Sequence, residues 1–209
     1  MKRVLSDKSC CIDVGSHDGE MLDRMLSLAP EGVHFAFEPI PVLYASLHQQ
    51  YGSRVQVYPY ALSDVSGTNV FHYARKAPAY SGLKKRAYAV HEPDVVEIEV
   101  ETRRLDALIP ESVHIDFIKI DVEGAEFLVF RGAEKLLKRC KPVVVFEFGL
   151  GASDFYQTQP ADIYHFLSDK AGLNISLLDD FLSGNEPLSL EQFAGNYHQK
   201  LEYYFVAHP

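Results

Sequence analysis

Residues 10–20 read CCIDVGSHDGE, a short apolar run that ends in an acid, followed by two glycines four positions apart. Glycine directly after a strand brings bare backbone close to something packed or bound against it. The next segment, GEMLDRMLSLAP, spaces Met21, Leu22, Met25, Leu26 and Leu28 along a helical face, and Pro30 and Gly32 stop it. A strand, a glycine turn and a helix in this order form a nucleotide-binding unit.

Outward from this unit the same alternation continues. VHFAFEP is a predicted strand, and Pro41 opens a helix that closes at Gly52. RVQVYPYALS reads as a third strand and IDFIKIDV as a fourth, followed by a helix over about 124–139; KPVVVFEFG is a fifth strand. Strands alternating with helices predict an α/β fold with a doubly wound, mostly parallel sheet. Nearly continuous apolar strands fit a sheet covered on both faces. Residues 68–103 break the rhythm: TNVFHYA and VVEIEVETR read as an inserted strand pair after the third strand. PADIYHFLSDKAG reads as a helix, and ISLLD and LEYYFVAH as two last strands. The connection between them, about 180–200, is expected to carry a short helix near LEQFAG. No linker divides the chain, so residues 1–209 read as a single domain.

The formal net charge of −9 argues against nucleic acid or an anionic membrane as the main partner. The cationic run Lys84, Lys85 and Arg86 reads as a solvated loop. Cys10, Cys11 and Cys140 are odd in number and two are adjacent, so they read as buried thiols in a reducing compartment. The start, MKRVLSDKSC, lacks the apolar core of a signal peptide, and the run VVVFEF is broken by Glu147. These features predict a soluble, cytoplasmic protein.

Two ligand classes compete for the glycine turn. A dinucleotide site wants G-x-G-x-x-G, but here the spacing is Gly15-x-x-x-Gly19, and Asp13 and Asp18 would repel a pyrophosphate. S-adenosylmethionine has no phosphate and carries a cationic sulfonium and ammonium, which Asp13 would attract directly or through water. Glu38, at the end of the second strand, suits the two ribose hydroxyls of either ligand.

The blocks IDVGSHDG, FEPIP, ALSDVSG, LDAL and DFIKIDVEGAEFLVFRGA, in that order, resemble the FkbM family of class I methyltransferases. The resemblance covers about two thirds of the chain, and the last block is its most specific part. It implies a Rossmann-like, seven-stranded sheet with a final antiparallel strand, S-adenosylmethionine as cofactor, and O-methylation of a sugar or natural-product hydroxyl. On the motif positions, Gly15, Ser16, His17 and Gly19 are expected at the methionine end and Glu38 and Pro39 at the ribose. Ala61, Leu62 and Ser63 are expected at the adenine edge, with backbone groups or Asp64 reading its amino group. Asp121, Glu123 and Glu147 end the fourth and fifth strands, so their carboxylates are expected to converge on the transferred methyl group. An alcohol is a weak nucleophile, and a carboxylate must take its proton as the new bond forms. Glu123 is the first choice for that base, Asp121 is expected to hold the cofactor as well, and Glu126 reads as a helix-surface acid. Repulsion among the acids is expected to raise at least one pKa. A divalent metal is the rival reason for clustered acids. With no further ligand at tight spacing and no His/Cys cluster, none is expected.

Few residues precede Gly15, so an N-terminal lid is not expected. The loop 74–95, the connection 180–200 or a second copy of the chain is expected to cover the site. In that loop Ser81-Gly82 would supply flexibility, and Tyr80 and Tyr88 would stack on a sugar ring or flat acceptor. Two other functions compete: a non-catalytic S-adenosylmethionine-binding module, and a nicotinamide-dependent oxidoreductase, which the missing middle glycine and Asp13 disfavour.

Overall fold

The structure is a computed structural model in which residues 1–86 and 93–209 are described. In chain order the elements are β1 (Cys11–Val14), α1 (Glu20–Leu28), β2 (His34–Phe37), α2 (Pro41–Tyr51), β3 (Val55–Tyr58), β4 (Tyr60–Leu62) and β5 (Gly67–Ala74). β6 (Val95–Arg103), α3 (Leu105–Leu108), β7 (Phe117–Ile120), α4 (Glu126–Gly132), α5 (Glu134–Cys140) and β8 (Val143–Glu147) follow. The chain closes with α6 (Pro160–His165), β9 (Asn174–Leu177), α7 (Leu178–Ser183), α8 (Leu190–Gln199) and β10 (Tyr204–His208).

Seven strands form one sheet in the order β3-β2-β1-β7-β8-β10-β9, parallel except for β10, which runs antiparallel to both neighbours. β1 is buried on both faces. Ile12 and Val14 enter a core with Phe130, Phe146 and Leu137, while Cys11 packs with Leu22, Met25, Leu47 and Tyr51 on the other side. This two-sided packing explains why β1 is apolar without alternation. It also explains Cys11, whose thiol is pushed up to about 12, chiefly by burial. All three cysteines are free. Between β1 and β7 the chain order reverses, and in open α/β sheets ligands bind at the carboxyl ends of the strands beside such a point.

The expected third strand is two strands. It breaks at Pro59, which has no N–H to give a ladder. β3 stays in the main sheet, whereas β4 joins β6 and β5 in a separate three-stranded sheet, order β4-β6-β5. The inserted pair is present as the antiparallel β5–β6. Ile40, Ala61, Phe71 and Val100 pack as a small core beneath it. The helix expected over 124–139 also divides, into α4 and α5, where Gly132 passes the Ser63 carbonyl; a Cβ there would lie 2.2 Å from that oxygen. α6 continues in π-helical turns, Phe166–Ala171, and ISLLD ends as a strand at Leu177 before α7 begins. Among the described residues no helix is long and apolar enough to cross a membrane.

Candidate active site

A cleft of about 570 Å³ opens at the carboxyl ends of β1, β2 and β7. Gly15, His17, Glu38, Pro39, Ala61 and Leu62 line it, together with Asp121 and Glu123. Ile40, Tyr60, Phe71 and Leu83 make one wall apolar. Ile40 belongs to the block FEPIP, whereas Tyr60, Phe71 and Leu83 lie in no motif and are brought here by the small sheet and its loop.

The two glycines serve the turn itself. Gly15 has φ 75°, and a Cβ on it would lie 2.0 Å from the Asp121 carbonyl oxygen, so only glycine lets β1 turn across the end of β7. Gly19 lies beneath the Tyr51 ring, 2.6 Å from where its Cβ would be, and lines no cleft wall. Ser16 is buried, with its hydroxyl donating to the Asp13 carbonyl at 3.0 Å. Glu38 braces the turn: its Oε2 accepts the His17 N–H and its Oε1 the Ile40 N–H, both at 2.9 Å. Burial pushes the Glu38 carboxyl up to about 7 against those two hydrogen bonds. Each oxygen retains a lone pair for a ligand hydroxyl.

Asp13 does not face the cleft. It is 0 % exposed, and its charge is answered inside the protein by Lys119, whose Nζ stands 3.6 Å away. Burial raises its pKa and Lys119 opposes that rise. Direct attraction of a cationic ligand by Asp13 is therefore closed off. An ionisable residue two positions before Asp121, inside an apolar strand, was the available signal for Lys119.

The three expected carboxylates do converge. One oxygen each of Asp121, Glu123 and Glu147 lies within 4.8 Å of the others, a spacing that would also suit a divalent cation. Burial and then neighbouring Asp121 push Glu147 up to about 8. Glu123 pairs instead with the Arg86 guanidinium, which brings a positive charge into the cluster. Glu123 also sits at φ 60°, a left-handed conformation that costs a non-glycine residue energy. Glu126 stabilises this turn. Its Oε1 accepts the N–H groups of Val122 and Gly124, each at 3.1 Å, and at 1 % exposure it is a buried cap, not the helix-surface acid expected.

The loop after β5 lies across this end of the sheet. Pro78, Ala79, Ser81 and Leu83 line the cleft, and Arg86 reaches Glu123. Ser81-Gly82 is pinned and not a loose hinge. Gly82 exchanges two backbone hydrogen bonds with His72, and Ser81 Oγ accepts the Ala74 N–H at 3.0 Å. The Ser81 hydroxyl is thus engaged with the loop, and Tyr80 stacks against Arg86, 5.0 Å from ring centroid to guanidinium. Tyr156 accepts the Lys84 N–H at 2.9 Å, so the cationic run is anchored. Tyr88 lies outside the described residues. Neither Ser63 nor Asp64 lines the cleft, and the Asp64 carboxylate pairs with Arg131.

Residues 13–172 match the methyltransferase FkbM domain. This chain belongs to the FkbM methyltransferase family. Among FkbM-related and other methyltransferases, it is 31% identical over 144 residues to the 2-O-methyltransferase NoeI of Sinorhizobium fredii, covering 62% of this chain and 59% of that protein. It is 28% identical over 155 residues to methyltransferase sdnD of Sordaria araneosa, covering 59% of this chain and 60% of that one. The matched region thus spans about 59% to 60% of these curated relatives. The solved FkbM methyltransferase from Methylobacillus flagellatus superposes on 98% of this chain and 44% of its own, with a TM-score of 0.60 at 17% identity. SMU.1697c of Streptococcus mutans, a putative methyltransferase solved with S-adenosylhomocysteine, superposes on 100% of this chain and 93% of its own, with a TM-score of 0.50 at 10% identity. The FkbM chain therefore has the class I methyltransferase fold, with its mostly parallel seven-stranded sheet.

Proposed function

We propose that this FkbM-family chain is an S-adenosylmethionine-dependent O-methyltransferase acting on a hydroxyl of a small sugar, glycan or natural-product acceptor. The observation that carries the reading is a cleft with an apolar wall at one end and the carboxylates of Asp121 and Glu123 at the other, with Glu147 clustered within 4.8 Å of both. An adenine fits the first and a cationic sulfonium the second; a pyrophosphate would be repelled there. The name of NoeI, a 2-O-methyltransferase, supports oxygen as the atom that takes the methyl group.

When bound, S-adenosylmethionine supplies a methyl group made electrophilic by its sulfonium. The chain's own residues do the rest. Ile40, Leu62, Phe71 and Leu83 bury the base, and Glu38 accepts from the ribose hydroxyls. Asp121 faces the cationic end, and the 78–86 segment shields it from water. The acceptor proton goes to Glu147. Glu123 is engaged by Arg86, whereas Glu147, raised to about 8, is the stronger base toward an alcohol. Glu147 gives up its own proton when a positive charge enters the cluster. Holding oxygen, methyl and sulfur in line supplies much of the remaining rate.

The test is ligand binding by calorimetry and thermal shift with S-adenosylhomocysteine and with NAD. Binding of the first and not the second is expected, with stabilisation of about 2.7 kcal/mol at a hundredfold excess over Kd. A shift with NAD alone overturns the assignment. Transfer of labelled methyl to a sugar pool, unaffected by EDTA, separates an enzyme that uses carboxylates from a metal-dependent one and from a silent binding module.

A further inference from the structure

Beside the cleft lies a second compartment, walled by Gly15, Ser16, His17 and Met21 and floored by Lys119 and Asp121. Lys119 comes from β7, in the middle of the sheet, and its side chain is 16% exposed. Its Nζ donates to the Gly15 carbonyl at 2.6 Å, makes a long hydrogen bond to the Val14 carbonyl at 3.5 Å and stands 3.7 Å from Asp121 Oδ2. An ammonium has three N–H donors, and both neighbouring carboxylates lie beyond hydrogen-bond length. With one short and one long hydrogen bond to backbone carbonyls, the ammonium keeps a donor for a ligand oxygen.

Four amides of the glycine turn are already engaged within the protein. The N–H groups of Gly15 and Ser16 go to the Phe37 carbonyl, that of His17 to Glu38 and that of Gly19 to the Ser16 carbonyl. Arg24, which also lines the compartment, pairs with Glu20 at 2.8 Å. Asp13 balances Lys119 from the buried side, which leaves Asp121 its own negative charge to present. Of the other acids in the lining, Glu20 pairs with Arg24 and Glu123 with Arg86, and Lys119 and Asp121 stand side by side as one positive and one negative group. That pattern complements an α-amino acid, whose ammonium and carboxylate hang from the same carbon.

We propose that Lys119 and Asp121 together read the amino-acid end of the cofactor, Lys119 taking its carboxylate and Asp121 its ammonium. The inference rests on the S-adenosylmethionine reading above and assigns the part of that ligand by which this chain discriminates. Asp13 is then a positioning residue that holds Lys119 upright from behind.

Calorimetry on the intact chain tests it with three probes. These are S-adenosylhomocysteine, its decarboxylated analogue, which keeps the amine, and methylthioadenosine, which lacks both groups. The wild type is expected to bind S-adenosylhomocysteine about 10- to 100-fold more tightly than the decarboxylated analogue, the worth of a charge-assisted hydrogen bond. Asp13→Asn combined with Lys119→Met removes the buried pair without stranding either charge. That variant is expected to lose most of this preference while its affinity for methylthioadenosine stays within about twofold. Equal wild-type affinity for the acid and its decarboxylated analogue overturns the proposal without any variant. So does a variant that weakens all three probes alike, because the lysine then only shapes the Gly15 turn. A wild type that binds none of the three overturns the cofactor reading itself, and the inference with it.

Discussion

Glu147 and Glu123 share one cluster, yet their neighbours give them different roles. Glu147 is raised to about 8 by burial and Asp121, with Arg86 pulling it back. Carboxyl-resolved NMR of labelled glutamate, assigned with Glu147→Gln, should show this group titrating near 8, and Arg86→Ala should move it higher still. Removing a nearby positive charge always favours the protonated acid. A Glu147 titration in the ordinary carboxylate range would remove its case as the base. In turnover, Glu147→Gln is expected to cost a factor of about 10² to 10⁴ and to leave S-adenosylhomocysteine binding nearly intact. Glu126 works by a different route. Glu126→Ala leaves the buried amides of Val122 and Gly124 without an acceptor, and about 2 to 4 kcal/mol of stability should be lost in urea unfolding. Glu126→Gln, which keeps a side-chain oxygen, should lose less.

At the scale of elements, the segment after β5 is held over the site by specific contacts. One of them joins it to the turn after β8, where the Tyr156 hydroxyl accepts the Lys84 N–H. Tyr156→Phe removes that acceptor and little else. Hydrogen exchange at the Lys84 amide should then speed up about fivefold or more, the equivalent of one ordinary hydrogen bond, with global stability nearly unchanged. Because Pro78, Ala79, Ser81 and Leu83 line the cleft, S-adenosylhomocysteine should slow exchange across the segment in both proteins. No change on ligand addition would mean that the segment is a passive wall. The β1 turn is stiffer. Gly15→Ala would force a Cβ against the Asp121 carbonyl oxygen at positive φ, so the turn and the end of β7 must move together.

Across the whole molecule, three buried carboxyls share one sign. Burial holds Glu38 and Glu126 up to about 7 and Glu147 up to about 8. Each binds its proton more tightly when folded than when unfolded. Their contribution to stability is therefore present in full below the ordinary glutamate value and is lost as pH rises through 7 to 8. For Glu38 alone this amounts to on the order of 3 kcal/mol. The Tm of the ligand-free protein should fall between pH values of about 5 and 8. Binding of S-adenosylmethionine should tighten over the same interval, since a cation favours the deprotonated cluster. A flat Tm over this interval would show that these groups are solvated in the folded state.

The alternation of apolar runs with helical segments, the glycine turn and the acids at the strand ends were legible in the sequence alone. They are local: strand and helix periods, proline starts and glycine stops act within a few neighbouring residues. The resemblance carried by IDVGSHDG and DVEGAEFLVFRGA added the family and its cofactor. Tertiary structure alone decided the partners. Asp13 has the same charge wherever it lies, but only the pairing of β1 with β7 puts Lys119 beside it and turns it away from the cleft. Glu126 stands at helix-surface spacing from Glu123, yet the left-handed turn at Glu123 and Gly124 folds it inward as a cap. Arg86 belongs to a run that reads as solvated, and only the path of the loop over β7 and β8 delivers it to Glu123. Charge type is written in the chain, whereas burial and the identity of the opposing charge depend on which distant strand ends meet.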